Sequence, residues 1–237
     1  MDLARFEAFL FDLDGVITPT ADVHMAAWSE MFNAYLSGRG GHSPYTGDDY
    51  FAHVDGKPRY DGVRDFLASR GISLPEGHPS DPPSAETVCG LGNRKNDAFN
   101  EIIERDGVAA YPGSTRLILR LAEMGKKLAV VSSSKNAPAV LRAAGLSELF
   151  SVVVDGNVAR DRGLPGKPAP DTFEFAARAL GADHRASVVL EDALSGVAAG
   201  AAGEFGLVIG VDRGAGRDAL TEAGADVVVA DLEELLR

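Results

Sequence analysis

Six short stretches of this 237-residue chain are apolar at almost every position: Ala8–Asp12, Leu128–Ser132, Ser151–Val154, Ser187–Glu191, Gly206–Gly210 and Asp226–Ala230. A strand with one wet face alternates apolar and polar residues. These runs do not, so each is expected to be buried on both faces, as in a parallel sheet between layers of helices. Helical patterns separate the runs from about Gly113 onward. Ser114 is expected to cap a helix over Thr115–Met124 that Gly125 ends, and Asn136 one over Ala137–Ala144 that Gly145 ends. Asp171 opens a helix running to Gly181, and the small residues of Leu194–Gly203 imply close packing. Strand and helix in alternation specify an α/β, doubly wound parallel sheet.

One segment interrupts the alternation. Residues 18–108 carry helical patterns (Val23–Leu36, Asp61–Ser69, Thr87–Arg105) and loops rich in Gly, Pro and His, with no strand pattern. The expected organisation is a core of residues 1–17 and 109–237 with a small helical cap domain, 18–108, inserted after the first strand. An insertion at that point leaves from the strand end where open α/β sheets bind ligands, which suits a lid.

Composition narrows the function classes. Hydrophobic residues at 45% and charged residues at 24% match a soluble globular chain. No apolar run approaches the roughly 20 residues of a membrane span. The N-terminus lacks a secretory pattern, and the lone Cys89 fits a reducing compartment, so a cytoplasmic monomer is expected. The formal charge of −12 argues against nucleic acid as a partner. A small phosphorylated ligand stays compatible with it, because a few cations in one cleft reverse the local potential.

The chemistry-bearing residues gather at strand ends. Phe11-Asp12-Leu13-Asp14-Gly15 closes the first strand with two carboxylates two residues apart, which aim into one crevice, and with a glycine for a tight turn. Facing carboxylates repel unless one is protonated or a hard cation such as Mg2+ lies between them. An Asp-Gly turn without chemistry is the plainer alternative. A second pair, Glu191-Asp192, ends the strand at 187–191 and is expected on the same side of a parallel sheet. Ser132 ends the second strand ahead of Ser133, Ser134, Lys135 and Asn136, a pattern that suits a phosphate cradle and equally suits ordinary helix capping. In Gly166-Lys167-Pro168-Ala169-Pro170-Asp171 the prolines restrict where Lys167 points, and a loop lysine in solvent is the alternative.

These pieces, in this order, resemble the haloacid dehalogenase superfamily of phosphatases and phosphomutases over essentially the whole chain. The resemblance implies a Rossmann-like core in which Asp12 is the nucleophile that forms an aspartyl-phosphate and Asp14 the general acid and base. It implies Mg2+ held by Asp12, the Asp14 carbonyl and Asp192, with Glu191 bound directly or through water, and phosphoryl oxygens held by Ser132 and Lys167. The inserted segment is similar to the β-phosphoglucomutase-like subfamily: Thr20-Ala21-Asp22-Val23-His24 with Trp28, Gly56-Lys57-Pro58-Arg59, Arg94-Lys95-Asn96-Asp97, and Ser134-Lys135-Asn136 in the core.

The implied activity is interconversion of β-D-glucose 1-phosphate and glucose 6-phosphate, primed by β-D-glucose 1,6-bisphosphate. A phosphatase of sugar phosphates or other phosphomonoesters is the alternative. On this resemblance Arg59, Lys135 and Asn136 take the distal phosphate, and His24 and Lys95 couple cap closure to catalysis. Plainer readings stand beside these. His24 and Trp28 are spaced as one packed helix face, Lys95 as a solvated charge, and Arg59 as an ion-pair partner for Asp55 or Asp61.

Overall fold

The computed structural model describes residues 3–236. The chain divides into two compact units, one made of the chain up to Thr20 and from Val108 onward, the other of Ala21–Gly107.

The second unit is helical: α1 (Thr20–Ser37), α2 (Gly47–His53), α3 (Arg59–Ser69) and α4 (Val88–Asp106). Helix α2 has no counterpart among the sequence expectations. Its start is nevertheless encoded by Thr46-Gly47-Asp48-Asp49, where the Thr46 hydroxyl accepts from the Asp49 N–H and the Asp49 carboxylate accepts from the Thr46 N–H. Thr87 caps α4 by accepting from Gly90 N at 2.9 Å. Aromatic packing holds the unit together. Phe32 is fully buried, with the rings of Trp28, Tyr45 and Phe66 at 5.3, 5.0 and 4.2 Å.

The first unit contains β1 (Ala8–Phe11), α5 (Pro112–Glu123), β2 (Lys127–Val131), α6 (Ala137–Ala143), β3 (Val152–Val154) and α7 (Gly156–Arg162). It continues with α8 (Asp171–Ala179), β4 (Ser187–Glu191), α9 (Leu194–Ala202), β5 (Leu207–Val211), α10 (Arg217–Glu222) and β6 (Val227–Val229). The strands form one parallel sheet in the order β3-β2-β1-β4-β5-β6, with Leu10 level with Ala129 on one side and Val189 on the other. This is the doubly wound α/β sheet expected from the apolar runs. Strand order reverses between β1 and β4, and their C-terminal ends therefore open onto the sheet's ligand-binding crevice. Helix α8 packs Phe173, Ala176 and Ala177 into the core. Helix α9 approaches so closely that a Cβ on Gly200 would lie 3.1 Å from both Val189 and Val208.

Three local expectations are corrected. Ser114 does not cap α5, which begins at Pro112; it sits in the first turn, buried, and its hydroxyl donates to the Val16 carbonyl at 2.6 Å. Pro112 takes the position at which a proline's missing N–H costs nothing, moving the start forward. Asn136 precedes α6 without a side-chain cap, and its own N–H donates to the Ser134 hydroxyl at 3.2 Å. Asp155–Gly166, where no helix is expected from the sequence, contains α7. Asp155 accepts from the Asn157 and Val158 N–H groups at its start, and Gly163 ends it in the left-handed conformation at φ +64°.

Replacing Phe32 by Ala removes the ring on which three others rest. It should cost about 3–5 kcal/mol, read as a lowered midpoint in urea denaturation.

Candidate active site

Strand β1 carries Asp12 out of the sheet, and the Asp12 N–H still donates to Leu190 O of β4 at 2.9 Å. That register brings the two acidic strand ends together: Asp12, Glu191 and Asp192 offer buried carboxylate oxygens all within 4.8 Å of one another. Lys167 is the cation among them. Its Nζ donates to Asp12 Oδ1 at 2.6 Å, to Glu191 Oε1 at 2.5 Å and to the Val131 carbonyl at 3.0 Å.

The electrostatics follow from this crowding. Burial raises the Asp12 pKa well above the ordinary carboxylate range; Lys167 opposes the rise, and Glu191 and Asp14 add to it. Burial works against the Lys167 charge, but Asp12 and Glu191 more than offset it, so the ammonium is held charged above its usual range. Lys167 is therefore a fixed cation rather than a proton carrier. One lysine does not balance three buried carboxylates, and an all-oxygen set of this spacing suits a hard divalent cation.

Two glycines make the cluster possible. Gly15 has φ +91°, and a Cβ on it would fall 1.9 Å from Asp192 Oδ2; one on Gly196 of α9 would fall 1.8 Å from Glu191 Oε1. Glu191 is held further by Ala193 N, which donates to Oε2 at 3.0 Å.

The Asp14 carboxylate sits in a different set of contacts. Ser132 Oγ donates to Asp14 Oδ2 at 3.2 Å, and Thr20 Oγ1 donates to Asp14 Oδ1 at 2.5 Å. The Thr20 hydroxyl also lies 2.7 Å from that of Thr18, whose proton has an acceptor in the Leu13 carbonyl at 3.3 Å. Both threonines are buried. Ser132 is itself oriented by Ser134 N, which donates to its oxygen at 3.1 Å. The structure thus joins Asp12, Lys167, Glu191 and Asp192 in one group and Asp14 with Ser132 in another. Lys135 and Asn136 stand on the β2–α6 loop, where Asn157 Nδ2 donates to the Lys135 carbonyl at 3.5 Å.

The sequence reading missed Thr18, Thr20 and Gly196. Thr20 lies in a segment it had singled out, but a hydroxyl that serves a carboxylate six residues earlier has no spacing rule to reveal it.

Within the helical unit, Lys95 is buried. Its Nζ contacts His24 Nδ1 and lies 5.1 and 5.0 Å from the rings of Trp28 and Phe99. His24 stacks on Phe99. Lys95 is thus not a solvated surface charge. Arg59 pairs with neither Asp55 nor Asp61 by these contacts: its Nη2 donates to the Asn96 side-chain Oδ1 at 2.6 Å, and Asp61 is engaged by Arg64. Lys57 forms an ion pair with Asp65 at 2.7 Å, and Gly56 supplies a left-handed turn at φ +69° before it.

The family model for haloacid dehalogenase-like hydrolases matches residues 6–203. A β-phosphoglucomutase of Mycobacterium tuberculosis is 49% identical, over 98% of this chain and 92% of that protein. A β-phosphoglucomutase of Bacillus subtilis is 31% identical, over 97% of this chain and 91% of that protein. Among solved structures, β-phosphoglucomutase from Clostridium difficile superposes with a TM-score of 0.78 at 26% identity, covering 97% of this chain and 93% of that one.

Two outcomes test the geometry. Replacing Thr20 by Val removes the donor to Asp14 and should lower kcat about tenfold, with Thr20→Ser close to wild type, since one positioned proton-transfer group contributes roughly 100-fold or more. Raising the folded pKa of Asp12 means that the folded state binds its proton more tightly than the unfolded chain does. In EDTA, stability should therefore fall as pH climbs from the ordinary carboxylate range towards the raised value. Asp12→Asn should remove that decline and melt higher than wild type at pH 8 by calorimetry.

Proposed function

The chain belongs to the haloacid dehalogenase-like hydrolase family, its enzymology is phosphoryl transfer, and from that premise we propose that it is a phosphomutase interconverting β-D-glucose 1-phosphate and glucose 6-phosphate. The observation that carries the reading is the separation of Asp12, in the lysine-bound cluster, from Asp14, held by two hydroxyl donors.

In the proposed reaction an Asp12 carboxylate oxygen attacks phosphorus, and the bond from phosphorus to the leaving sugar oxygen breaks as Asp14 delivers a proton to that oxygen. The product is an aspartyl-phosphate. In the return step Asp14 takes the proton of a sugar hydroxyl, whose oxygen attacks phosphorus and releases the Asp12 carboxylate. Lys167 and Ser132 hold charge and position at the transferring group, where most of the catalytic effect is electrostatic. Asp12, Glu191 and Asp192 would hold Mg2+, as the buried oxygen set allows. Bound there, the ion supplies the positive charge that keeps Asp12 ionised beside an anionic substrate.

A mutase needs a bisphosphate intermediate, here β-D-glucose 1,6-bisphosphate, and so a residue for its second phosphate. We assign that role to Arg59. Burial pulls its pKa below the usual arginine value, while Tyr60 and Asp97 oppose the shift, and its hydrogen-bond acceptor is a neutral amide. An anion there would restore what burial withdraws, and a guanidinium suits phosphate. Trp28, Gly56 and Lys57 in the helical unit and Ser134, Lys135 and Asn136 in the sheet unit are assigned to substrate binding. His24 and Lys95 are assigned to coupling substrate binding to the chemistry.

The test follows two products from β-D-glucose 1-phosphate with Mg2+ and a trace of the bisphosphate. Glucose 6-phosphate without matching free phosphate is expected, and free phosphate alone would replace the mutase reading with a phosphatase. Lys95→Ala should reduce glucose 6-phosphate formation more than phosphate release.

A further inference from the structure

Arg213, in the segment after β5, takes no part in the reaction as derived above, yet it reaches the catalytic turn. Its side chain is 21% exposed and lies over Tyr111, with the guanidinium carbon 3.9 Å from the ring centre. Nε donates to the Gly15 carbonyl at 2.9 Å, and Nη1 donates to the Ala230 carbonyl at 3.0 Å. Nη2 lies 3.6 Å from Asp231 Oδ2. One planar group thus ties the turn after β1 to the ends of β5 and β6 and to the residue that leads into α5.

Gly15 is where the turn most needs an external hold. It follows Asp14 directly, its backbone is left-handed, and only its missing Cβ leaves room for the Asp192 carboxylate. A residue without a side chain has little intrinsic preference for one peptide orientation. The orientation is set from outside, by Gly15 N donating to Thr18 O at 2.7 Å and by Arg213 gripping the carbonyl. A guanidinium stacked on a ring is a stiff donor, and a charged donor makes the stronger hydrogen bond. The N–H belongs to the Asp14–Gly15 peptide and the carbonyl to the Gly15–Val16 peptide. Turning about the Gly15 Cα would therefore shift the backbone that carries Asp14 on one side and the wall beside Asp192 on the other.

We propose that Arg213 is a positioning residue for phosphoryl transfer, clamping the Gly15 peptide so that Asp14 and Asp192 keep their places. The proposal rests on Asp12 and Asp14 handling a phosphoryl group, not on which sugar accepts it, so it is tested with acetyl phosphate as the donor. Arg213→Met keeps an apolar stem over Tyr111 and removes every donor. Its kcat should fall at least about fivefold with KM within roughly threefold, the pattern of an interaction felt in the transition state rather than in binding. Arg213→Lys, retaining one donor, should lie between it and wild type.

Each protein is assayed well below its own melting temperature, so that a purely structural contribution shows in the melt and leaves kcat alone. A Met variant with kcat within fivefold of wild type, or one whose loss lies entirely in KM, overturns the proposal. If that variant does not fold, the Lys variant is judged instead, and a kcat equal to wild type, or a loss lying entirely in KM, overturns the proposal. Wild-type protein inert towards acetyl phosphate and sugar phosphates alike would overturn the proposal together with the reaction beneath it. An active wild type that makes no glucose 6-phosphate would remove the mutase reading and leave this inference standing.

Discussion

The ammonium of Lys167 among buried carboxylates is the interaction on which the rest of the sheet unit depends. Asp12, Glu191 and Asp192 are brought together by the register of β1 against β4, and their mutual repulsion in a buried place would oppose folding. Lys167 holds two of them at hydrogen-bond distance and takes a third bond from the β2 carbonyl, which fixes its own position. Asp12 bears the result as a raised pKa, with burial the largest cause and Glu191 and Asp14 adding to it against Lys167.

Much of the surrounding structure exists to permit this approach of like charges. Gly15 and Gly196 leave empty the volumes that the carboxylates of Asp192 and Glu191 fill. The Gly200 contact lets α9 lie close on β4 and β5, which places Gly196 against Glu191. On the other side of the turn, Ser114 holds the Val16 carbonyl, Tyr111 N holds the Ile17 carbonyl, and Thr18 and Thr20 reach back to Asp14. Asp12 and Asp14 are separated by one residue yet placed among different partners. Two identical side chains can then take different parts in one reaction, the principle by which paired carboxylates divide acid and nucleophile roles.

The helical unit is stabilised by other means. Its core is a set of stacked and tilted rings around Phe32, and its buried lysine lies among aromatic rings and an imidazole. Arg59 likewise donates to the side-chain amide oxygen of Asn96, whereas Lys167 donates to two carboxylates.

How much of this was legible in the residues depends on the range of the interaction. The six strands, their parallel packing and the acidic pairs at their ends follow from apolar runs of strand length closed by Asp or Glu, because burial on both faces leaves its mark on every position of a strand. The short helices α2 and α7 were missed although Thr46 and Asp155 cap them, since seven residues show little period and neither combines the clear glycine stop and following strand that marked α6, equally short. Ser114 looked like a cap because capping is a local rule, and its actual partner, Val16, lies 98 residues away. Thr20, Gly196 and Arg213 carry no local pattern at all. Thr20 and Gly196 matter through the way the strand-end turns fold back on Asp14 and Glu191, and Arg213 through the Gly15 carbonyl, 198 residues away. Sequence alone determined which residues could carry the chemistry, because side-chain type and strand periodicity are local properties. Only the tertiary structure decided their partners and their charge states, because burial and distance arise when distant segments pack.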